Sequence, residues 1–525
     1  MTPVSMIDRR ALLASTAAIS LAAPLMARAA VAAPVAMTRH GKVRGAVDQD
    51  INVFKGIRYG ADTGEHRFQP PRLPKPWRGI ADALAFGAGS PQGSNDANTS
   101  EDCLFLNVWT PALRDGSKRP VMVYIHGGAY SNGSGSSPLY DGVNLCKRGD
   151  VVVVTLNHRL NAFGYLYLAR LDGDFADSGN CGQLDLVLAL NWVKDNIAEF
   201  GGDPNCVMVF GQSGGGAKIA TLMATTAAKG LFHRATTMSG QQLTASGPFN
   251  ATKRAQSYMA ALSLTLDKTK DLLKLTTAQL VAGLKAIDPV IGSGGVYFGP
   301  VLDERTLTRH PFYPDAPAQS ANVPMMVGNT HDETRLFIQD AWTTTLTWEE
   351  LPARLAPAYR VDIAPEIVIA KYREWFPGIT PTELFYKATT AGRSWRAAIV
   401  EDELRAQAGT PVFAYQVDFQ SPIDGGKWHA PHTIDIALSF DNTDKPGALA
   451  GNGPEARALA AQMSETFIAF ARTGDPNNKA LPTWKPYTLP NRETMIFDVN
   501  SRLENDPRGR ERELFATVPF IQQGT

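Results

Sequence analysis

The sequence predicts an α/β fold: a large, mostly parallel twisted sheet with helices on both faces and helical insertions that cap one edge. Three observations carry this. Residues 121–125 (Val-Met-Val-Tyr-Ile), 151–156 and 207–210 are continuous apolar runs, the mark of strands buried on both faces of a parallel sheet. Between the second and third lies a helical pattern, 184–200, with Leu184, Val187, Leu188, Leu190 and Trp192 near one face. The strand, helix, strand order recurs, which is the signature of a doubly wound sheet.

The remaining elements follow along the chain. Short strand-like runs at 42–47, 51–57 and 103–109 are interrupted by a Pro-rich stretch, 69–77, and a Gly/Ser/Asn/Asp-rich loop, 87–100. Beyond residue 230 the pattern is mostly helical, broken by two more strands at 323–327 and 412–417. Helical segments near 250–285, 345–375 and 380–408 are expected to cap the C-terminal edge of the sheet, where open α/β sheets hold their ligands. A last helix, 457–473, stops at Gly474-Asp475-Pro476-Asn477. No stretch reads as a linker, so residues 30–525 are expected to form one domain.

The first 29 residues read as a processing signal. Arg9-Arg10 precedes a mildly apolar run, 11–23, that ends at Pro24, and Ala27-Arg28-Ala29 offers a small-x-small cleavage site. The run is too short to span a bilayer. The arginine pair points to twin-arginine export, hence a periplasmic or secreted product with no stable membrane insertion after cleavage. Lys plus Arg equals Asp plus Glu at 51 each. Removing Arg9, Arg10, Arg28 and Asp8 leaves 48 basic and 50 acidic residues, a balance that argues against a nucleic-acid surface and favours a small-molecule partner. Cys103, Cys146, Cys181 and Cys206 form no metal-ligand spacing and are expected to be free and mostly buried.

The chemistry starts at Gly211-Gln212-Ser213-Gly214-Gly215, where an apolar strand turns sharply into a helix-forming stretch. Such a corner holds a serine out of the sheet, and its neighbours lack side chains so that packed backbones can approach. Ser213 is therefore the candidate nucleophile. A serine hydroxyl needs a base, usually histidine, and the histidine needs an acid. In chains of this type the acid and histidine follow the serine in that order. His233, His310, His331, His429 and His432 lie downstream. His233 falls at the far end of the expected elbow helix, and His310 precedes a Pro-rich turn. The loop after strand 412–417 should carry the base, and it contains both His429 and His432, which spacing does not separate. Strand 323–327 leads into Asp332-Glu333, either of which could be the acid. Backbone donors for an oxyanion are expected in His126-Gly127-Gly128-Ala129-Tyr130, a run of small residues after a buried strand.

These residues resemble the type-B carboxylesterases, α/β-hydrolases that include cholinesterases and bacterial para-nitrobenzyl esterases. The resemblance runs from about residue 35 to 510. Its carriers are Phe54-Lys55-Gly56-Ile57-Arg58-Tyr59, Arg67-Phe68, the segment 100–109 around Glu101-Asp102-Cys103, the His-Gly-Gly-Ala-Tyr run, Asn157-His158-Arg159-Leu160, residues 192–197, and Phe200-Gly201-Gly202-Asp203-Pro204. It implies Glu333 rather than Asp332 as the acid. It also implies His432, three residues before Asp435-Ile436, as the base. The N–H groups of Gly128, Ala129 and Gly214 are then the oxyanion donors.

The expected activity is hydrolysis of a carboxylic ester through an acyl-enzyme, with no metal or organic cofactor. A base near the reference histidine pKa of about 6.5 predicts activity that fades below about pH 6. The alternatives are an amidase on the same residues, or a binding and adhesion protein of the same fold. Departures from the family pattern narrow the substrate. Ser90 stands where an upstream cysteine is usual, which leaves Cys103 without a partner. The short loop before Glu101 has no tryptophan, and Gln212 replaces the glutamate of cholinesterases. A choline ester is therefore a poor candidate. Gly214 and Ala129 exchange the usual alanine and glycine, and both keep a backbone donor.

Overall fold

The computed structural model describes residues 33–93, 98–292 and 294–525. The expected leader, 1–29, lies outside them. Residues 34–525 form one compact unit.

In chain order the strands are β1 (Val35–Thr38), β2 (Gly41–Arg44), β3 (Ala46–Asp48), β4 (Ile51–Arg58), β5 (Ile80–Asp82), β6 (Phe105–Thr110), β7 (Arg119–Ile125), β8 (Val152–Leu156), β9 (Gly202–Gln212), β10 (Arg234–Met238), β11 (Met325–Thr330), β12 (Val412–Val417), β13 (Glu493–Phe497) and β14 (Arg502–Asn505). Among the described residues eleven of them make one sheet in the order β14-β13-β12-β11-β10-β9-β7-β8-β6-β4-β3. The run from β13 to β8 is parallel throughout, and the two flanks are antiparallel. The apolar runs at 121–125, 151–156 and 207–210 lie in its middle with every residue buried, except that Val151 immediately precedes β8.

Register decides what the fold can do. Tyr124 pairs with Phe210, Met238 with both Gln212 and Gly328, and Gly328 with Tyr415. The loops leaving β7, β9, β11 and β12 therefore emerge side by side at one edge. One face of the sheet is covered by helices α1 (Cys181–Asn196), α2 (Gly214–Ala224) and part of α6 (Arg396–Gln407) through Leu186, Leu190, Ile219 and Ala398. The other is covered by α7 (Pro454–Thr473) through Leu459, Met463 and Phe467.

The differences from expectation have local causes. The run 42–47 is two strands that part at Gly45 to join different sheets, and a Cβ at Gly45 would lie 2.5 Å from the Val53 carbonyl oxygen, so the close approach there requires glycine. The 250–285 segment is α3 (Pro248–Ala261), a 3-10 stretch at Leu266–Lys274 and a short helix at Thr277–Gly283. The region 345–408 is likewise interrupted, holding α4 (Pro365–Trp375) and α5 (Pro381–Thr390) before α6. It packs around its own apolar cluster of Leu351, Leu355, Val368, Tyr372, Leu384 and Phe515. Strand β10 is Arg-Ala-Thr-Thr-Met: its threonines are fully buried, and β-branching suits them to the pleat despite their polarity. All four cysteines are free, three of them buried.

Candidate active site

Gln212 ends β9 and Gly214 begins α2, so Ser213 has to turn the chain in a single residue. It does so with φ 58° and ψ −126°, a left-handed conformation that costs a non-glycine residue about 1–3 kcal/mol. The surroundings enforce the turn. Ser213 N–H donates to the Met238 carbonyl at 2.7 Å. A Cβ at Gly215 would sit 2.0 Å from the Ile125 carbonyl oxygen, so only glycine lets α2 start against β7. The hydroxyl is thereby held in a cleft of about 570 Å³, at the N-terminus of a helix whose free N–H groups favour negative charge.

The two carboxylate candidates separate at once. A 3-10 turn, Glu333–Leu336, follows β11 and sends the adjacent side chains apart. Asp332 faces His331 at 3.0 Å and Arg335 at 3.6 Å. Glu333 is fully buried, accepts the Thr330 N–H at 2.8 Å, and takes a short hydrogen bond from His432 Nδ1. Burial alone would raise the Glu333 pKa, but the imidazole and the Thr330 N–H hold it below the ordinary carboxylate value. His429 stays half-buried near Asp332 and Arg335, outside the cleft. His233 and His310 accept the backbone N–H groups of Val207 and Ala245 and are structural.

With Nδ1 donating to Glu333, His432 Nε2 carries the lone pair. The side-chain amide of Gln212 reaches it at 2.9 Å, and Ser213 Oγ makes no hydrogen bond among the described residues. The structure thus joins Glu333 to His432 and brings Ser213 into the same cleft, with Gln212 occupying the nitrogen that would serve the serine. Phe337 packs on the imidazole at 4.5 Å between ring centroids.

The opposite wall is the loop after β7. Gly128 and Ala129 both have positive φ, 84° and 52°, and none of the described residues accepts the backbone N–H of Gly128, Ala129 or Gly214. Gly128, Ala129 and Gly214 line the cleft together with Ser213. Ala129 and Gly214 prove to be linked: a Cβ at Gly214 would lie 2.1 Å from the Ala129 carbonyl oxygen. The two positions at which the resemblance shows alanine and glycine exchanged are thus packed directly against each other.

Sequence reasoning passed over the residue that supports this loop. Lys218, fully buried on α2, donates to the carbonyls of Ala129 at 2.7 Å and His126 at 3.3 Å. Burial pushes its pKa down to about 7. Beneath the loop His126 and His158 stack at 4.8 Å, both kept neutral by burial first and the Lys218 charge second. The signal was visible as the one charged side chain within Gly214–Ala224. Other motif residues tie the scaffold together: Arg159 with Asp185 at 2.7 Å, and Arg67 with Glu101 at 2.6 Å.

A second carboxylate, Asp435, is buried on the first turn of the helix after His432 and accepts the Tyr415 hydroxyl at 3.2 Å. Burial, then the nearby Glu333 charge, push it up to about 7. It contacts neither ring nitrogen. Among the described residues no group of His, Cys, Asp and Glu side chains is arranged to hold a metal ion.

A strained serine at a strand-to-helix corner, a buried carboxylate on an imidazole, and backbone N–H groups left without an acceptor among the described residues meet at one cleft of an α/β-hydrolase fold. The chain belongs to the carboxylesterase family, whose family model matches residues 32–359 and 393–515. It is 33% identical to the para-nitrobenzyl esterase of Bacillus subtilis (strain 168) over 509 residues, 91% of this chain and 98% of that one. It is also 33% identical to the phenmedipham hydrolase of Pseudarthrobacter oxydans over 493 residues, covering 86% and 93%. Among solved structures, the carboxylesterase of Geobacillus stearothermophilus superposes with a TM-score of 0.83 at 38% identity, covering 92% of this chain and 99% of that one. The protein is a carboxylic ester hydrolase of the type-B class.

Proposed function

We propose that the protein cleaves carboxylic esters through an acyl-enzyme on Ser213, with His432 as the base and Glu333 as its orienting acid. The hydrogen bond between buried Glu333 and His432 Nδ1, at the rim of the cleft that holds Ser213, carries this reading. It fixes the tautomer in which Nε2 can take a proton. When an ester enters, the Gln212 amide gives up Nε2 and Ser213 Oγ attacks the carbonyl carbon as its proton passes to His432. The tetrahedral oxyanion lies against the N–H groups of Gly128, Ala129 and Gly214, which line the cleft with no acceptor among the described residues. His432 then protonates the departing alcohol, and water repeats the sequence on the acyl-enzyme.

A fluorophosphonate probe tests the assignment. One adduct per chain on Ser213, lost in Ser213→Ala, is expected; a folded wild type that stays unlabelled favours the binding-protein alternative. Matched ester and amide substrates separate esterase from amidase, and faster amide cleavage overturns the ester reading. The paired arginines Arg9-Arg10 and the Ala27-Arg28-Ala29 site support export to the periplasm or beyond. Residues 1–29 fused to a reporter test this, and a reporter retained in the cytoplasm overturns it.

A further inference from the structure

The cleft around Ser213 carries two arginines that have no acidic partner among the described residues. Arg360 and Arg393 both line it. Arg360 donates to the neutral Gln523 side chain, Arg393 lies over the Phe337 ring at 5.4 Å, and neither forms an ion pair among the described residues. Both are held below the ordinary arginine pKa by burial, and Arg360, pushed down to about 9, is lowered further by the charge of Arg393. The carboxylate nearest in effect, Glu333, is already engaged by His432 and Thr330. Two like charges, largely desolvated and facing one cavity, are unfavourable unless something anionic enters it.

Between α5 and α6 the helix passes through a π-helical turn, Ala391–Trp395, where Arg393 leaves helical geometry at φ −129° and ψ −106°. Such bulges re-aim side chains and gather at functional sites. The carboxylesterase family model passes over residues 360–392, the stretch that begins with Arg360 and ends beside Arg393. Through Phe337, Arg393 stands one ring away from His432.

We propose that the substrates are esters that also carry a free carboxylate, which Arg360 and Arg393 hold while Ser213 attacks the ester carbonyl. This rests on the esterase reading above. The guanidinium fork matches a carboxylate with paired donors, and charge-assisted pairs of this kind are about twice as strong as neutral hydrogen bonds. The carboxylate belongs either to the acyl part or to the alcohol part of the ester, and substrate pairs distinguish the two.

The test compares monoethyl with diethyl adipate, for the acyl side, and 4-acetoxybenzoate with its methyl ester, for the alcohol side. The anionic member of one pair is expected to have the higher kcat/KM by about tenfold or more. In the double variant Arg360→Gln/Arg393→Gln the anionic-to-neutral ratio falls about tenfold or more, to near unity, and lysine at both positions restores part of it. If the double variant fails to fold, the wild type decides alone: 4-acetamidobenzoate should inhibit neutral-ester hydrolysis about tenfold more strongly than 4-acetamidobenzamide. Neutral members turned over as well as the anions in both pairs, or a carboxamide that binds as tightly as the carboxylate, overturns the proposal alone. A wild type inactive on every ester overturns the esterase reading and this one with it.

Discussion

Ser213 directly follows β9, Glu333 stands just past β11, and His432 lies on the loop after β12, so all three hang from strands whose register is fixed by buried parallel pairing. Arg360 and Arg393, on the other side of the same cleft, stand on a helical region with its own small apolar cluster and an interrupted helix. The first region places its groups through backbone constraints that single substitutions break. The second places them through side chains on irregular helices, which can be exchanged while the sheet is left as it is. The family model covers the first region and omits residues 360–392 of the second, resuming at Arg393. On the proposed roles, chemistry and selectivity reside in separable parts, and substitutions in the sheet-edge loops should lower kcat for every ester, whereas those in the helical wall should alter the choice among esters.

The largest effect expected at the sheet edge is that of Ser213→Ala, a loss of about 10⁶-fold in kcat measured by continuous ester assay. A loss that depends strongly on the ester would break the division between the two regions. Next comes Gly214→Ala, about 10²-fold in kcat, because the new methyl displaces the Ala129 carbonyl and with it a backbone donor. Adding Ala129→Gly should recover most of that loss, since the backbone at φ 52° then relaxes freely. Two independent, additive losses in the double-mutant cycle would show that the exchange of residues is not compensatory.

Lys218→Met is expected to cost about tenfold in kcat with little change in KM, by withdrawing the charge that fastens the oxyanion loop. Its pH dependence sharpens the point. The folded Lys218 pKa, about 7, lies below the unfolded value of about 10.4, so the unfolded chain binds more protons between them. Wild-type stability at this site consequently rises with pH across that window, and the methionine variant should gain most in Tm at or below pH 7, the gain fading towards pH 10. Wild-type kcat should decline on the alkaline side as the ammonium loses its proton, and the variant should lack that decline.

The smallest effect lies behind the site. Asp435, with a folded pKa of about 7, keeps a proton that the unfolded chain loses near 3.9. The stability it contributes is present below pH 4 and lost as pH rises through 7. Asp435→Asn should therefore raise Tm at pH 8 and leave it nearly unchanged at pH 4, as read by calorimetry. An equal shift at both would contradict the protonated state.

The two regions also differ in how far the sequence reveals them. Val121 to Ile125 and Val207 to Phe210 read as sheet because a strand buried on both faces must be apolar throughout. Ser213 was legible because its corner needs glycines. The adjacent pair Asp332-Glu333 leaves the acid open on spacing alone, since the 3-10 turn decides which carboxylate faces inward. His429 and His432 posed the same problem, for both lie on one loop. Strand β10 went unread because its buried threonines look polar, and Lys218 went unread although a lone charge within the elbow helix could have pointed to it. Arg360 and Arg393 had no such signal: they stand 33 residues apart, the Arg360 N–H donates to the Gly392 carbonyl, and Arg393 sits on a π-helical turn with no periodic mark.

The account rests on an acyl-enzyme at Ser213, and rapid-quench mass spectrometry of the wild type with 4-nitrophenyl acetate tests it most directly. One acetyl group per chain, mapped to the Ser213 peptide and formed at least as fast as steady turnover, is the expected result. Steady ester hydrolysis with no acetyl group on Ser213, or with the group on another residue, would contradict it.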